Sequence, residues 1–220
     1  MKLLEKRPET YDKTISLLSL GKDIAAKQFI KDHYIQEQDS ILDLGTGTGN
    51  FAFLCRDKAA RITGVDISAD MLRIARQKKA KMNQTQNIQF IEAGIGELDS
   101  ALAGQTFDKI VISLLFSELD SPQQSYTLKQ VHSLLKPHGK LIIADEVVPG
   151  STGKRILYHT IRGLTAVVSL IFKGGLTHPL QDIATMVQQA GFEVVYCKTT
   201  NFSQSFCILV AQPATQDKGN

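Results

Sequence analysis

Ile41-Leu42-Asp43-Leu44-Gly45-Thr46-Gly47-Thr48-Gly49-Asn50 is the stretch on which the reading of this chain turns. A short apolar run ends in three alternating glycines, and an apolar helical pattern, Phe51-Ala52-Phe53-Leu54, follows directly. That is a strand, a tight turn and a helix start. Glycine lets the backbone bend sharply and lets a ligand come close. The first turn of the helix offers backbone N–H groups with no partner inside the helix. At the first crossover of a parallel sheet this arrangement makes a nucleotide-sized crevice beyond the strand ends.

About twenty residues further on, Gly64-Val65-Asp66-Ile67 puts a carboxylate at the end of a second apolar run. At that distance an acidic side chain holds the ribose hydroxyls of a bound nucleoside. Glycine turns alone are weak signals, because turn geometry also selects glycine; Asp66 in register is what specifies nucleoside binding. A dinucleotide fingerprint needs Gly or Ala as its third element, and Asn50 stands there. The pattern therefore favours a nucleoside without a pyrophosphate and disfavours a nicotinamide-dependent oxidoreductase.

Outward from this core, strands and helices alternate. Strands are expected at residues 40–44, 61–67, 88–92, 109–113 and 140–144, with helices at 23–33, 50–56, 68–81 and 126–135. A helix at 180–190 is ended by Gly191, and two closely spaced strands, 192–198 and 206–211, read as a hairpin. The fold class expected is α/β: a doubly wound, mostly parallel seven-stranded sheet with an antiparallel last strand. One domain is expected over 1–220, with an N-terminal helical cap over about 1–38 and an inserted helical segment over about 150–180.

The chain has 220 residues, 25 Lys+Arg against 22 Asp+Glu, and a net charge of +3. That balance does not suit a nucleic-acid binder. The basic run Arg73, Arg76, Lys78, Lys79, Lys81 reads as the solvated end of a helix. Cys55, Cys197 and Cys207 lack metal-ligand or disulfide-framework spacing, so no metal is expected and a cytoplasmic location fits. No secretion signal and no membrane span is read from the pattern.

Taken together, Asp43 through Gly49, Asp66, Phe107-Asp108-Lys109-Ile110-Val111-Ile112-Ser113 and Leu134-Leu135-Lys136-Pro137-His138-Gly139-Lys140-Leu141 resemble class I S-adenosylmethionine-dependent methyltransferases. Met1-Lys2-Leu3-Leu4-Glu5, Tyr11-Asp12, Phe116-Ser117-Glu118-Leu119 and Ala144-Asp145-Glu146-Val147 further resemble the corrinoid-protein-associated members. The resemblance implies S-adenosyl-L-methionine as cofactor, bound through Asp43, Gly45, Thr46, Gly47, Gly49, Asp66 and Ser113. The family's usual acid after strand three is replaced in Glu92-Ala93-Gly94-Ile95-Gly96, so adenine is expected against backbone near Gly94 and Ile95, with Ile67 and Met71 on the ring. Ordinary core packing is the competing role for Ile67 and Met71.

Methyl transfer needs alignment more than an elaborate apparatus. Where a base is required, Glu118, Asp145 and Glu146 sit at strand ends, and Tyr11 could fold over the cofactor. A helix-start carboxylate, a solvated loop and plain packing are the respective alternatives. His159 and His178 read as structural or surface groups.

Along residues 156–172, Leu157, Ile161, Leu164, Val168 and Phe172 share one helical face, opposite His159, Arg162, Ser169 and Lys173. This segment is expected to be a lid over an apolar small-molecule acceptor, a surface for peripheral membrane contact or a partner, or a core helix. A non-catalytic module acting through it is the alternative to an enzyme. The acceptor and the oligomeric state are not legible.

Overall fold

The computed structural model describes residues 22–148, 180, 182–200 and 205–214. Tyr11, the N-terminal part of the expected cap and the segment 156–172 lie outside the described residues.

The chain enters through α1 (Lys22–Tyr34) and then alternates β1 (Ser40–Leu44), α2 (Asn50–Cys55), β2 (Arg61–Asp66), α3 (Ala69–Lys81) and β3 (Ile88–Glu92). A short α4 (Leu98–Ala101) leads to β4 (Phe107–Ser113), α5 (Ser121–Leu134) and β5 (Leu135–Glu146). The described remainder is α6 (Ile183–Gln189), β6 (Phe192–Thr200) and β7 (Phe206–Pro213).

Seven strands form one sheet in the order β3-β2-β1-β4-β5-β7-β6. The first five run parallel; β7 is antiparallel to both β5 and β6. This is the doubly wound, seven-stranded α/β sheet expected. All five residues of β1 are buried, as a strand covered on both faces must be. Alternate side chains feed two cores. Ile41, Ile62, Val111, Ile142 and Ile208 pack with Ile30, Phe51 and Phe53 of α1 and α2. Leu42, Val65, Ile110, Leu141 and Leu209 pack with Leu98, Leu128, Val131 and Val187 of α4, α5 and α6.

Two element boundaries differ from expectation. Helix α5 begins at Ser121, five residues before the expected start, because Asp120 caps it: its side chain accepts from Gln123 N at 2.9 Å, and Gln123 Oε1 accepts from Asp120 N at 3.0 Å. Strand β5 begins at Leu135, with a register shift before Lys140.

The basic run on α3 is not simply solvated. Arg76 donates to Phe90 O at 3.3 Å and Lys79 donates to Ile88 O. Both carbonyls belong to β3, the sheet's edge strand, so these side chains cover an edge that would otherwise offer free acceptors. Lys78 turns instead to the glycine loop.

Strand order reverses between β1 and β4, since β1 leads outward to β2 and β3 before the chain returns. Beyond the carboxyl ends of strands at such a switch point lies the natural ligand crevice.

Candidate active site

At that reversal a cavity of about 830 Å³ opens, lined by Leu44, Gly45, Val65, Asp66, Ile67, Ala93, Gly94, Ile95, Gly96, Glu97, Leu115, Leu119, Pro122, Gln123 and Tyr126. Its wall is mostly apolar, with Asp66 and Glu97 as its acids.

The glycine loop is held from beneath and beside. Gly45 and Thr46 donate their N–H groups to Val65 O at 2.8 and 3.0 Å, which folds the loop back onto β2. Gly45 has φ +76°, and a Cβ there would stand 2.9 Å from Leu115 Cδ2, so glycine is required both by conformation and by the close approach of the β4 turn. Asp43 is only 2% exposed and accepts from Thr46 Oγ1 at 2.6 Å. Burial pushes its carboxyl up to about 6, against the opposing pull of the Thr46 hydrogen bond. Asp43 thus fixes the loop from the protein side and is not part of the cavity lining.

Asp66 lines the cavity and also shapes it. Its Oδ2 accepts from Gly47 N at 2.7 Å and its Oδ1 from Ser68 N at 2.9 Å. One carboxylate therefore ties the loop to the start of α3. A carboxylate at this place in the lining is the kind of group that accepts hydrogen bonds from a vicinal diol.

Of the expected adenine contacts, Ile67, Gly94 and Ile95 line the cavity. Ile67 is 76% exposed, which excludes ordinary core packing for it and leaves an apolar surface beside the crevice. Met71 goes the other way: it is 4% exposed, on the inner face of α3, and outside the cavity lining. Gly94 N donates to Glu97 Oε2 at 2.8 Å, bringing a carboxylate into the wall that the sequence reading passed over.

Past β4 the chain turns through Leu114, whose φ of +56° is unusual for a β-branch-free but bulky residue. The turn sends Leu115 over Gly45 and carries the chain into the 3₁₀ turn Phe116–Glu118. Ser113 Oγ, at the end of β4, is buried with no hydrogen-bond partner among the described residues. A buried hydroxyl without a partner is costly, and a ligand group is one way to satisfy it.

The candidate bases divide. Asp145 is 1% exposed; its Oδ2 accepts from Ser117 N at 2.9 Å and its Oδ1 from Glu146 N at 2.7 Å. Burial pushes it up to about 6, while the Ser117 hydrogen bonds pull it down. It pins the turn after β4 to the end of β5 and does not line the cavity. Glu118 and Glu146 are partly exposed and also lie outside that lining.

Leu115, Leu119, Pro122, Gln123 and Tyr126 form a wall that the sequence reading did not assign to the site. Its signal was present in Asp120-Ser121-Pro122-Gln123, a capping box with proline in the first turn, which places Gln123 and Tyr126 one turn apart at the start of α5.

Residues 35–191 match the family described as a methyltransferase domain. A demethylmenaquinone methyltransferase of Chlorobaculum parvum is 35% identical over 155 residues, covering 68% of this chain and 60% of that protein. The chain thus spans about three fifths of the length of that relative. The ubiquinone/menaquinone biosynthesis C-methyltransferase UbiE of Haemophilus ducreyi is 30% identical over 206 residues, covering 84% and 76%. Among solved structures, magnesium protoporphyrin IX methyltransferase from Synechocystis PCC 6803, with bound SAH, aligns with a TM-score of 0.65 at 19% identity, covering 91% and 84%. That likeness concerns the fold. The two sequence relatives are quinone-pathway enzymes by name, not corrinoid-associated ones.

Proposed function

The chain belongs to the class I S-adenosylmethionine-dependent methyltransferases, and from that premise we propose that it methylates a ring carbon of a reduced, quinone-type aromatic acceptor. The observation that carries this reading is the apolar wall of Leu115, Leu119, Pro122 and Tyr126 continuing the cofactor crevice. A flat, lipophilic ring suits that wall, to which Tyr126 contributes an aromatic side chain.

The residues present fit the cofactor. Asp66 offers acceptors for a ribose diol, Ile67 and Ile95 offer apolar faces for a purine, and the orphaned Ser113 hydroxyl sits at the end of β4. When bound, S-adenosylmethionine supplies an electrophilic methyl group on a sulfonium. The protein's part is to hold the acceptor carbon in line with that group and to keep water out, which orientation alone rewards with several powers of ten in rate. With that group bound, a C–C bond to the acceptor would form as the C–S bond broke, and the ring or its hydroxyl would give up one proton. Glu118, in the turn between the wall residues Leu115 and Leu119 but outside the lining itself, is the carboxylate we assign to receive it by way of a water. Asp145 acts through the Ser117 N–H, holding that turn in place.

A corrinoid-linked acceptor is the second reading. Two of the four phrases that carry that likeness, residues 116–119 and 144–147, are joined by the Asp145–Ser117 hydrogen bond. Membrane contact to reach a lipophilic acceptor belongs to the proposal as well; no helix among the described residues is long and apolar enough to cross a membrane.

The test is turnover with methyl-labelled S-adenosylmethionine against a short-chain naphthoquinol and against a reduced cobalamin. Mass spectrometry of a ring-methylated quinol supports the first reading. Label on cobalt and none on the quinol would overturn it, and absence of S-adenosylhomocysteine with both would leave a non-catalytic module.

A further inference from the structure

Thr48 lies between two glycines, Gly47 at φ +55° and Gly49 at φ +79°. Glycine has the widest backbone freedom, so a residue flanked by two of them is the part of the loop least fixed by its own chain. Yet Thr48 is 2% exposed, held deep in the fold. Asp43 reaches Thr46 and Asp66 reaches Gly47; neither of these hydrogen bonds extends to Thr48.

Lys78 does. Its Nζ donates to Thr48 Oγ1 at 2.9 Å, to Asn50 Oδ1 at 2.9 Å and to Thr48 O at 3.3 Å. An ammonium carries three protons, and three oxygens of one loop surround this one. Lys78 stands near the end of α3, the helix whose Ser68 N–H is already held by Asp66. Helix α3 is therefore tied to the loop at both ends, through Asp66 at its start and Lys78 near its finish. A lysine at the end of a helix ordinarily keeps its charge in water, and fixing its long side chain costs rotamer entropy. Three oxygen acceptors converging from the loop offset that cost.

We propose that Lys78 is a positioning residue for cofactor binding: it clamps the distal half of the glycine loop, 48–50, so that the loop's shape is set before the ligand arrives. It does not line the cavity and touches no reacting atom. The inference rests on the reading of the loop as the cofactor site.

The test uses S-adenosylhomocysteine as calorimetric probe and amide hydrogen exchange of residues 47–50 in the protein without ligand. Lys78→Met should weaken binding about tenfold, the loss of charge-assisted hydrogen bonds, and should speed exchange at those amides. Lys78→Arg, which keeps charge and donors, should bind within about threefold of the unsubstituted protein. If Lys78→Met melts earlier yet binds S-adenosylhomocysteine as before, the side chain merely stabilises the fold and the proposal is overturned. Should Lys78→Met fail to fold, Asn50→Ala removes one of the three acceptors and should weaken binding about threefold; unchanged affinity overturns the proposal. A failure of the unsubstituted protein to bind the probe would overturn the cofactor reading instead, and the exchange rates would then decide the clamp alone.

Discussion

Asp66 ties the glycine loop to α3, and the role proposed for it at the ribose can be separated from that tie by substitution. Its carboxylate accepts from Gly47 N at 2.7 Å and from Ser68 N at 2.9 Å, and the residue lines the cavity. Asp66→Ala removes the internal tie between loop and helix and also the acceptors for the ribose hydroxyls. A hydrogen bond to a charged group contributes about 1.5–3 kcal/mol. Losing two to the diol, with partial recovery by water, should weaken S-adenosylhomocysteine binding by about a hundredfold, at about 1.4 kcal/mol per decade. Loosening of the loop would weaken any ligand of this cavity, whereas the diol contact is specific to the hydroxyls. The assay therefore compares calorimetric affinities of S-adenosylhomocysteine and its 2′-deoxy analogue in both proteins. The unsubstituted protein should prefer the hydroxylated ligand by about tenfold or more, and Asp66→Ala should bind both alike. If the folded variant keeps the same preference, Asp66 does not hold the ribose, and its role is the loop tie alone.

Two further outcomes follow from the geometry. Burial raises Asp145 from its ordinary range to about 6, so between roughly pH 4 and 6 the folded state holds its proton more tightly than the unfolded state, and stability falls as pH rises through that window. Asp145→Asn removes this titration. The stability gap between the unsubstituted protein and the variant, from urea denaturation, should narrow by about 1–2 kcal/mol from pH 5 to pH 8; a gap independent of pH would refute the assignment. Tyr126, 41% exposed at the cavity wall, should serve the acceptor and not the cofactor. Tyr126→Ala should raise the acceptor KM about three- to tenfold, the value of an aromatic contact, with S-adenosylhomocysteine affinity unchanged; a matching loss of cofactor affinity would place the residue at the wrong end of the cavity.

How much of this was legible depends on how local each signal is. The alternation of apolar runs and the glycine turn gave β1 to residue accuracy and gave the sheet its parallel character, because side-chain periodicity and turn chemistry act over a few neighbours. The hairpin spacing likewise announced an antiparallel strand, found in β7. Asp66 could be assigned a place by its distance from the glycines, since a strand, turn and helix of ordinary length must bring it there.

What the sequence left undecided were contacts between segments distant along the chain. Ile67 and Met71 are four residues apart and equally apolar, yet one is 76% exposed at the crevice and the other 4% exposed in the core. Asp145 looked like a base at a strand end, but a peptide N–H 28 residues away occupies one of its oxygens. Lys78 looked like solvated charge until α3 folded back along β2 and β3, within reach of the loop. The wall at the start of α5 became part of the site only because strand order reverses between β1 and β4 and Leu115 comes to rest over Gly45. Sequence pattern determined which elements form and that a nucleoside crevice must open at their ends. Tertiary packing decided which side chains face that crevice, because burial and long-range hydrogen bonding depend on which elements end up side by side, and no local period encodes that.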